Sequence, residues 1–223
     1  MFDPARSPRG SSGAQAFGTG SAPANATPER RTAGPVLGID PGLSRCGYGA
    51  VRRTGATMTA VSFGVLHTDR DEPLPDRLAS LEADLIALFA EIRPRAVAVE
   101  RVLFQTNVRT AISVGQASGM ALVVAARTGV PVTHYSPNEV KLAVTGSGTA
   151  DKAQVQQMVA RLLALDPAPK SPDAADALAL ALCHCWALPM QRATGMPEGD
   201  RAPQAVPGLT RAVAAALERD ARA

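Results

Sequence analysis

The sequence predicts an α/β fold built on a mixed five-stranded sheet that is flanked by helices. An apolar strand is followed by two strand-like segments joined through a Gly-containing turn, which gives three consecutive antiparallel strands. An amphipathic helix and a second apolar strand come next, and a helical crossover of this kind makes two strands parallel. A short fifth strand, at residues 131–135, follows a long helix.

The folded part is predicted to be one domain at residues 36–188, between two tails. Residues 1–35 contain five Gly, five Pro and four Ser with almost no bulky apolar residue. Such a segment buries too little surface to offset the entropy of ordering, so we expect a disordered N-terminal tail. Residues 189–223 start with a Pro-rich stretch and are expected to form a C-terminal tail. Its alanine-rich segment at 209–222 is compatible with a marginal helix.

The formal net charge of +3 arises in the tails. The N-terminal tail has four Arg against two acids and the C-terminal tail five against four, whereas the middle has fourteen basic and fourteen acidic residues. A nucleic-acid partner would therefore have to contact a local basic face of the folded part.

The cellular compartment is predicted to be the cytoplasm. The chain shows neither an apolar export segment near its start nor an apolar stretch long enough to span a membrane. Of its three Cys, Cys183 and Cys185 are two positions apart and point to different sides of a predicted helix. This pattern fits buried thiols better than a disulfide framework or a zinc site.

The first strand of the folded part ends in a carboxylate. An apolar run at residues 36–39 is followed by Asp40, and the Pro-Gly pair after it cannot continue a strand. Asp40 is therefore expected at the edge of the sheet, where it either receives turn hydrogen bonds or belongs to a functional site. The next two strands are predicted at residues 46–53 and 58–67, with their turn at 54–55.

A second strand repeats this design. The amphipathic helix at residues 73–92 leads to a strand at 96–100, which is apolar until it ends in Glu100. Because parallel strands end at the same edge of a sheet, Asp40 and Glu100 are expected to be neighbours. The following helix, at 108–127, carries a patch of small residues that permits close packing against a partner helix. These residues are Gly115, Ala117, Ser118 and Gly119.

The remainder of the folded part is predicted to be mainly helical. A short helix at residues 137–143 and a flexible Gly-containing loop at 146–148 precede a helix at 151–165. The last helix opens with Ser-Pro-Asp at 171–173 and runs to Trp186. Ser is a favoured N-cap, Pro suits the first helical position, and an acid is stabilising in the first turn.

Four acids at these positions predict a metal-dependent hydrolytic site. Asp173 and Asp176 lie one turn apart on one helix face, and Asp176 has apolar neighbours among which an unpaired charge is costly. With Asp40 and Glu100 they form an all-oxygen set without His or Cys, which favours Mg²⁺ or Mn²⁺ over zinc. Two such ions about 4 Å apart can promote an in-line phosphodiester displacement, which is nuclease chemistry. The competing interpretation is that the four acids are unrelated and lie on surface turns.

Five motifs in order carry a family resemblance. They are VLGIDPGLSRCGYG at 36–49, AVAVERV at 96–102, VGQASG at 114–119, SPNEVKLAVTGSGTADKAQVQQMV at 136–159 and SPDAADALALALCH at 171–184. Over nearly the whole folded part, the chain resembles the RuvC family of Holliday-junction resolvases. The resemblance implies an RNase H-like fold and a homodimer that uses divalent metal to nick two strands of like polarity across a four-way DNA junction.

The resemblance also implies roles for individual residues. The family's four acidic positions, expected to be catalytic and to hold two Mg²⁺ ions, fall on Asp40, Glu100, Asp173 and Asp176. Lys141 and Lys152 match family lysines, which implies phosphate contact or electrostatic help near the scissile bond. Apart from the resemblance, both would be interpreted as solvated charges on helix surfaces. The expected products carry 5′-phosphate and 3′-hydroxyl ends. The implied partners are the branch-migration proteins RuvA and RuvB.

One position departs from the family pattern. Family members often carry an aromatic residue, implicated in opening the junction centre, three positions after the strand-end Glu. This chain has Leu103 there, with Phe104 next. One of the two is expected in the core and the other against DNA, and Phe104 is the favoured DNA contact. Nearby Arg109 is also expected to contact DNA.

Two alternative functions stay open on the sequence alone. A nucleotide phosphotransferase of the actin and sugar-kinase superfamily also opens with a strand bearing an Asp followed by Gly. A second phosphate-binding hairpin is missing here, however, and the folded part is short for two lobes. The other alternative is a non-catalytic junction-binding protein, although such a binder would gain affinity by replacing the four acids. ATP binding would favour the first alternative, and junction binding without cleavage the second.

Overall fold

The computed structural model describes residues 34–101 and 108–194. Within these ranges, the side chains of residues 108, 109 and 188–194 are not described. The predictions for Leu103, for Phe104 and for the side chain of Arg109 therefore lie outside the described residues. The same holds for most of the two predicted tails, namely residues 1–33 of the tail at 1–35 and residues 195–223 of the tail at 189–223.

Five strands form one mixed sheet, which confirms the predicted fold class. They are β1 (Val36–Asp40), β2 (Arg45–Thr54), β3 (Thr57–His67), β4 (Ala96–Glu100) and β5 (Val132–Tyr135). Their order in the sheet is β3-β2-β1-β4-β5. Strand β2 is antiparallel to both β1 and β3, whereas β4 is parallel to β1 and β5 is parallel to β4. The ends of β1, β4 and β5 therefore share one edge with the start of β2 and the end of β3, and we call it the carboxyl edge.

Five helices flank this sheet. They are α1 (Leu74–Ile92), α2 (Val108–Arg127), α3 (Pro137–Thr145), α4 (Lys152–Leu162) and α5 (Pro172–Thr194). Alternate residues of β1 face opposite layers. Leu37 and Ile39 join the core beneath α1 and α2, whereas Val36 joins the core formed with α3, α4 and α5. The sheet is thus a central layer between two helical layers. All three Cys are free and buried, as predicted.

The hairpin between β2 and β3 turns one residue later than predicted. Thr54 pairs with Thr57, so the turn residues are Gly55 and Ala56. Gly55 has a φ of 63°, a left-handed conformation that costs Gly no steric penalty. The position of this Gly therefore determines the turn, and the strands extend up to it on both sides.

Helix α5 lies directly on the sheet backbone because glycines line its path. A Cβ atom built on Gly38 would lie 1.9 Å from the carbonyl oxygen of Ala177. One built on Gly47 would lie 2.2 Å from the carbonyl oxygen of Asp173. Both distances are shorter than non-bonded atoms tolerate, so only Gly permits this approach. The contact holds the first turn of α5 over β2 at the carboxyl edge.

Helix α4 ends earlier than predicted. It stops at Leu162 rather than at residue 165. Ala164 adopts a left-handed φ of 49°, and the N–H of Leu165 donates to the carbonyl oxygen of Ala160 at 2.8 Å. This is the 6→1 hydrogen bond of a Schellman motif, in which the left-handed residue is usually Gly. Because this position holds Ala rather than Gly, the sequence pattern did not predict that the helix ends here.

Two other helices are longer than predicted. Helix α3 continues to Thr145, past the expected end at residue 143, and closes with Gly146 at a φ of 76°. Helix α5 continues past Trp186 and through Pro189 to Thr194. A proline removes one helical hydrogen bond and here does not end the helix. Among the described residues no helix, α5 included, is both long and apolar enough to cross a membrane.

The small residues predicted to form one patch on α2 are divided between two faces of the helix. Ala117 and Ser118 are buried within the chain. Cβ atoms built on Gly115 and Gly119 would meet nothing within 4 Å. Successive helical residues are about 100° apart around the axis, so four residues within five positions cannot share one narrow face.

Candidate active site

Asp40 and Glu100 lie side by side at the carboxyl edge. They are the last residues of β1 and β4, and the parallel register pairs Ile39 with Val99 immediately before them. Four buried residues precede each acid in its strand. Both carboxylates are half-buried, because each emerges from the core where its strand ends.

Asp173 and Asp176 reach the same edge from the first turns of α5. Their spacing of three places both side chains on one face of the helix. The close contact between Gly47 and the Asp173 backbone positions that face over the sheet. The structure therefore brings together the two strand-end acids and the two helix acids that the sequence pointed to.

The four acids interact electrostatically. The pKa of Asp40 is raised from 3.8 to about 7. Burial is the largest cause, followed by repulsion from Glu100, Asp176 and Asp173, while Lys152 acts in the opposite direction. Burial is also the largest cause of the raised pKa values of Glu100 and Asp176. Carboxylates that are buried together in this way are typical of functional sites.

Lys152 pairs with Asp176 at the border of this cluster. Its Nζ lies 3.5 Å from Oδ2 of Asp176, which is the largest cause of the raised pKa of Lys152. Lys152 is the first residue of α4, and the capping box formed by Asp151 and Gln154 fixes that helix start. Lys141, on α3, acts on the pKa of Asp176 in the same way as Lys152. Both cations favour the charged carboxylate and partly offset the effect of burial, and the effect of Lys141 is the smaller.

Arg45 is a site residue that the sequence analysis missed. Its Nε donates to Oδ2 of Asp173 at 2.7 Å, and its Nη2 donates to Oγ of Ser171 at 3.2 Å. Ser171 in turn donates to Oδ2 of Asp173 at 3.4 Å. Arg45 and Asp173 are 128 positions apart, so no local pattern links them. The only available signal was that Arg45 falls within the first motif, soon after Asp40.

The donor chemistry of the four acids fits a hard divalent cation. Every donor is a carboxylate oxygen, and a cation would offset both the burial and the repulsion that raise the pKa of Asp40. Within the described parts of the chain, no three Asp, Glu, His or Cys side chains are already arranged as ligands of one ion. Asp173 and Asp176 face Arg45 and Lys152 instead. A bound metal ion would therefore compete with Arg45 and Lys152 for the charge of these two carboxylates.

Comparison with protein families supports a nuclease. A family model described as crossover junction endodeoxyribonuclease RuvC matches residues 36–184. A protein of that description from Salinispora arenicola is 57% identical over 152 residues, which cover 68% of this chain and 87% of the relative. Another, from Leifsonia xyli, is 50% identical over 184 residues, which cover 81% of this chain and 88% of the relative.

Two solved structures extend the comparison. Thermus thermophilus RuvC in complex with a Holliday junction substrate has a TM-score of 0.68 and 38% sequence identity, with 74% of this chain and 98% of that chain covered. The yeast mitochondrial Holliday junction resolvase Ydc2 has a TM-score of 0.51 at 15% identity, with 68% and 78% covered, and shows a likeness of fold alone. The matched family region, residues 36–184, contains all four acids.

Proposed function

Because this chain belongs to the RuvC family of crossover junction endodeoxyribonucleases, we propose that it resolves four-way DNA junctions by hydrolysing phosphodiester bonds at the carboxyl edge. One observation carries the assignment of the site: four acids of the matched region form one electrostatic cluster at a single edge of an RNase H-like sheet. The family match favours neither the nucleotide phosphotransferase nor the non-catalytic junction binder. This activity serves recombination and repair, and we infer that it takes place in the cytoplasm.

We propose that the four acids hold two Mg²⁺ ions, for which Mn²⁺ would substitute. The proposed ligands are Asp40, Glu100, Asp173 and Asp176. When bound, the ions supply Lewis-acid stabilisation of the attacked phosphate and lower the pKa of the attacking water. Hydrolysis at this site is proposed to leave 5′-phosphate and 3′-hydroxyl ends.

Lys152 is suited to contact the phosphate that is attacked. Asp176 keeps its ammonium group protonated, and the side chain is 83% exposed next to the acids. A cation there offsets the repulsion between carboxylates and phosphate. Lys141 is proposed to act in the same way from α3. The other proposed DNA contacts are Arg109 and the apolar pair after Glu100, in which Phe104 rather than Leu103 enters the junction centre.

We infer that two copies of the chain act together, because paired symmetric nicks require two sites related by a two-fold axis. Helix α2 offers a surface for this pairing. Ile112 and Val123 are 53% and 38% exposed, and Gly115 and Gly119 lie at helical spacing between them. We call these four residues the α2 stripe. RuvA and RuvB, as branch-migration proteins of the family, are proposed to act on the same junctions.

The deciding experiment uses a labelled synthetic four-way junction, incubated with and without Mg²⁺ and resolved on a denaturing gel. We expect nicks at symmetric positions in two strands of like polarity, only when metal is present. A linear duplex of the same sequence should stay intact, and Asp40→Asn controls for a contaminating nuclease. Binding without cleavage would instead support a junction-binding protein, and phosphate transfer from ATP would support a phosphotransferase.

A further inference from the structure

A groove runs from the carboxyl edge along β3. Its volume is about 610 Å³. One wall is the last part of β3, with Phe63, Val65 and His67, and the other is the segment at residues 165–171 between α4 and α5. Arg45 lines the end of the groove at the carboxyl edge. We call this feature the β3 groove.

The register of the strands explains where the groove lies. Val65 pairs with Gly47 and Phe63 pairs with Gly49. A Cβ atom on either glycine would collide with α5, so both glycines face that helix. Paired residues of neighbouring strands share a sheet face, so Val65 and Phe63 also point to the face on which α5 lies. Because β3 is the outermost strand, the two side chains lie beside the helix and border an open space.

The groove adjoins the candidate active site. His67 pairs with Arg45 at the carboxyl edge, and Arg45 is bound to Asp173. From His67 to Phe63 the groove extends for four residues of strand, about 13 Å at roughly 3.3 Å per residue. A DNA strand that is cleaved at the four acids could follow this path for roughly two to four nucleotides.

The wall opposite β3 is held in place by hydrogen bonds. Gln156, on α4, donates from Nε2 to the carbonyl oxygen of Pro169 at 2.7 Å. Pro169 itself is buried, and the Schellman motif at Ala164 fixes the direction in which the segment leaves α4. A preformed groove binds its ligand without the entropic cost of ordering a loop.

The lining of the groove combines an aromatic ring with basic groups. Phe63 is 37% exposed. Arg45, His67 and Lys170 also line the groove, against one acid, Asp166, among the described lining residues. Sites for single-stranded nucleic acid have this composition, because aromatic rings stack on bases while cations contact the phosphates.

We propose that the β3 groove binds unpaired nucleotides of the cleaved strand next to the scissile phosphate, with Phe63 stacked on a base and Lys170 contacting a phosphate. This proposal rests on the proposed junction cleavage and adds to it a subsite beside the cut. Because the strength of stacking differs among bases, the subsite should show a modest preference for bases that stack well. A peptide occupant is disfavoured because the groove opens onto the edge where a DNA backbone has to pass.

The test measures single-turnover cleavage of synthetic junctions that differ only in the bases flanking the cut. The variants are Phe63→Ala, Phe63→Tyr and Lys170→Gln. Val61→Ala is the matched control, since Val61 is an apolar residue of the same strand, 42% exposed and outside the groove. Arg127→Gln controls for loss of a positive charge, because Arg127 lies in the opposite helical layer.

We expect Phe63→Ala to slow cleavage about tenfold, because one base stack is lost. The rate differences among flanking bases should also become smaller. Phe63→Tyr should retain both properties. Lys170→Gln should weaken junction binding and lessen its dependence on salt, and both controls should match the wild-type protein. The fluorescence of 2-aminopurine next to the cut should be lower in the wild-type complex than in the Phe63→Ala complex, because stacking on the ring quenches it.

Three results separate this proposal from its alternatives. Unchanged cleavage and base discrimination in Phe63→Ala would overturn the subsite, leave junction cleavage in place and point to a protein segment as the occupant. An equal loss for every base together with a lowered Tm would also overturn it, because a merely structural Phe63 would behave in that way. Failure of the wild-type protein to cut any junction would instead count against the proposed function.

Discussion

Arg45 and Asp173 are joined by an ion pair in which Nε lies 2.7 Å from Oδ2. Arg45 also donates to Ser171, so a single side chain ties the start of β2 to the start of α5. One of the proposed metal ligands already faces a cation from its own chain, and a metal ion has to compete with it.

Removing this competitor should strengthen metal binding. For Arg45→Gln in the absence of DNA, we expect Mn²⁺ affinity to rise by up to about fivefold, since an exposed ion pair is worth roughly 0–1 kcal/mol. Calorimetric titration measures the change. Arg127→Gln, which breaks the distant pair with Glu82, is the control and should leave the affinity unchanged. Weaker Mn²⁺ binding by Arg45→Gln would show that Arg45 orients Asp173 for the metal instead.

Neutralising the acids should separate binding from catalysis. Asp40→Asn, Glu100→Gln and Asp176→Asn are each expected to abolish nicking, because each removes a ligand charge. Junction affinity should stay the same or increase, since each change also removes repulsion of phosphate. Asp173→Asn should be severe as well. Cleavage and gel-shift assays on one junction measure both properties, and near-normal nicking by any variant would exclude that residue from the site.

Asp40 should make the metal-free protein less stable as the pH rises. Its pKa is 3.8 ordinarily and about 7 in the folded protein. Between these values the native state holds a proton that the unfolded state has released, so this contribution is complete below pH 3.8 and is lost as the pH rises through 7. Asp40→Asn should therefore exceed the wild-type protein in stability by about 1–4 kcal/mol at pH 8 and by little at pH 4. Urea unfolding at both pH values provides the measurement, and a difference that does not vary with pH would contradict it.

The α2 stripe should hold the proposed dimer together. Ile112→Gln is expected to shift the protein from dimer to monomer at micromolar concentration, as followed by sedimentation velocity. Ile86→Gln is the matched control, because Ile86 is 48% exposed on α1. Gly119→Leu should act like Ile112→Gln without harming the fold, since a Cβ atom there meets nothing within 4 Å. A monomeric wild-type protein would rule out the dimer, and a dimer indifferent to both stripe variants would place its interface elsewhere.

His184 should make the fold sensitive to acid. It is fully buried, and its Nδ1 shares a hydrogen bond of 2.9 Å with the hydroxyl of Tyr135. Burial, and then the charge of Arg95, lower its pKa from 6.5 to about 4. The unfolded chain takes up this proton below pH 6.5 and the native protein only near pH 4, so stability falls by about 3 kcal/mol as the pH drops through that window.

Substitution of this His tests the explanation. His184→Gln keeps a neutral polar group and should remove that part of the pH dependence, as measured by urea unfolding at pH 6.5 and 4.5. An NMR titration of the His184 ring in the folded wild-type protein reports the protonation directly. Protonation of the folded protein near pH 6.5 would refute the assignment.

The acids could be predicted from the sequence because each one stands at a recognisable boundary. Asp40 and Glu100 both end an apolar run, and Asp173 follows a Ser-Pro helix start. The spacing of Asp176 then places it on the same helix face. Signals of this kind depend on backbone periodicity within a few residues, so they do not require knowledge of how distant segments pack.

Other features depended on contacts that no local pattern encodes. The pairing of Arg45 with Asp173 requires β2 and α5 to meet across 128 positions of sequence. The end of α4 depended on Ala164 taking a left-handed conformation that L-residues seldom adopt. The division of the small residues on α2 was set by which side of the helix packs on the sheet.

The glycine contacts beneath α5 also bear on how this protein can change during evolution. At Gly38 and Gly47, main chain meets main chain with no side chain between them. The helix-borne acids therefore cannot approach the strand-borne acids more closely than these backbone contacts allow. We expect this limit to persist when apolar side chains in the two cores change in size. Neutral substitutions in the interior should therefore leave unchanged the closest approach of the two pairs of acids, on which the chemistry depends.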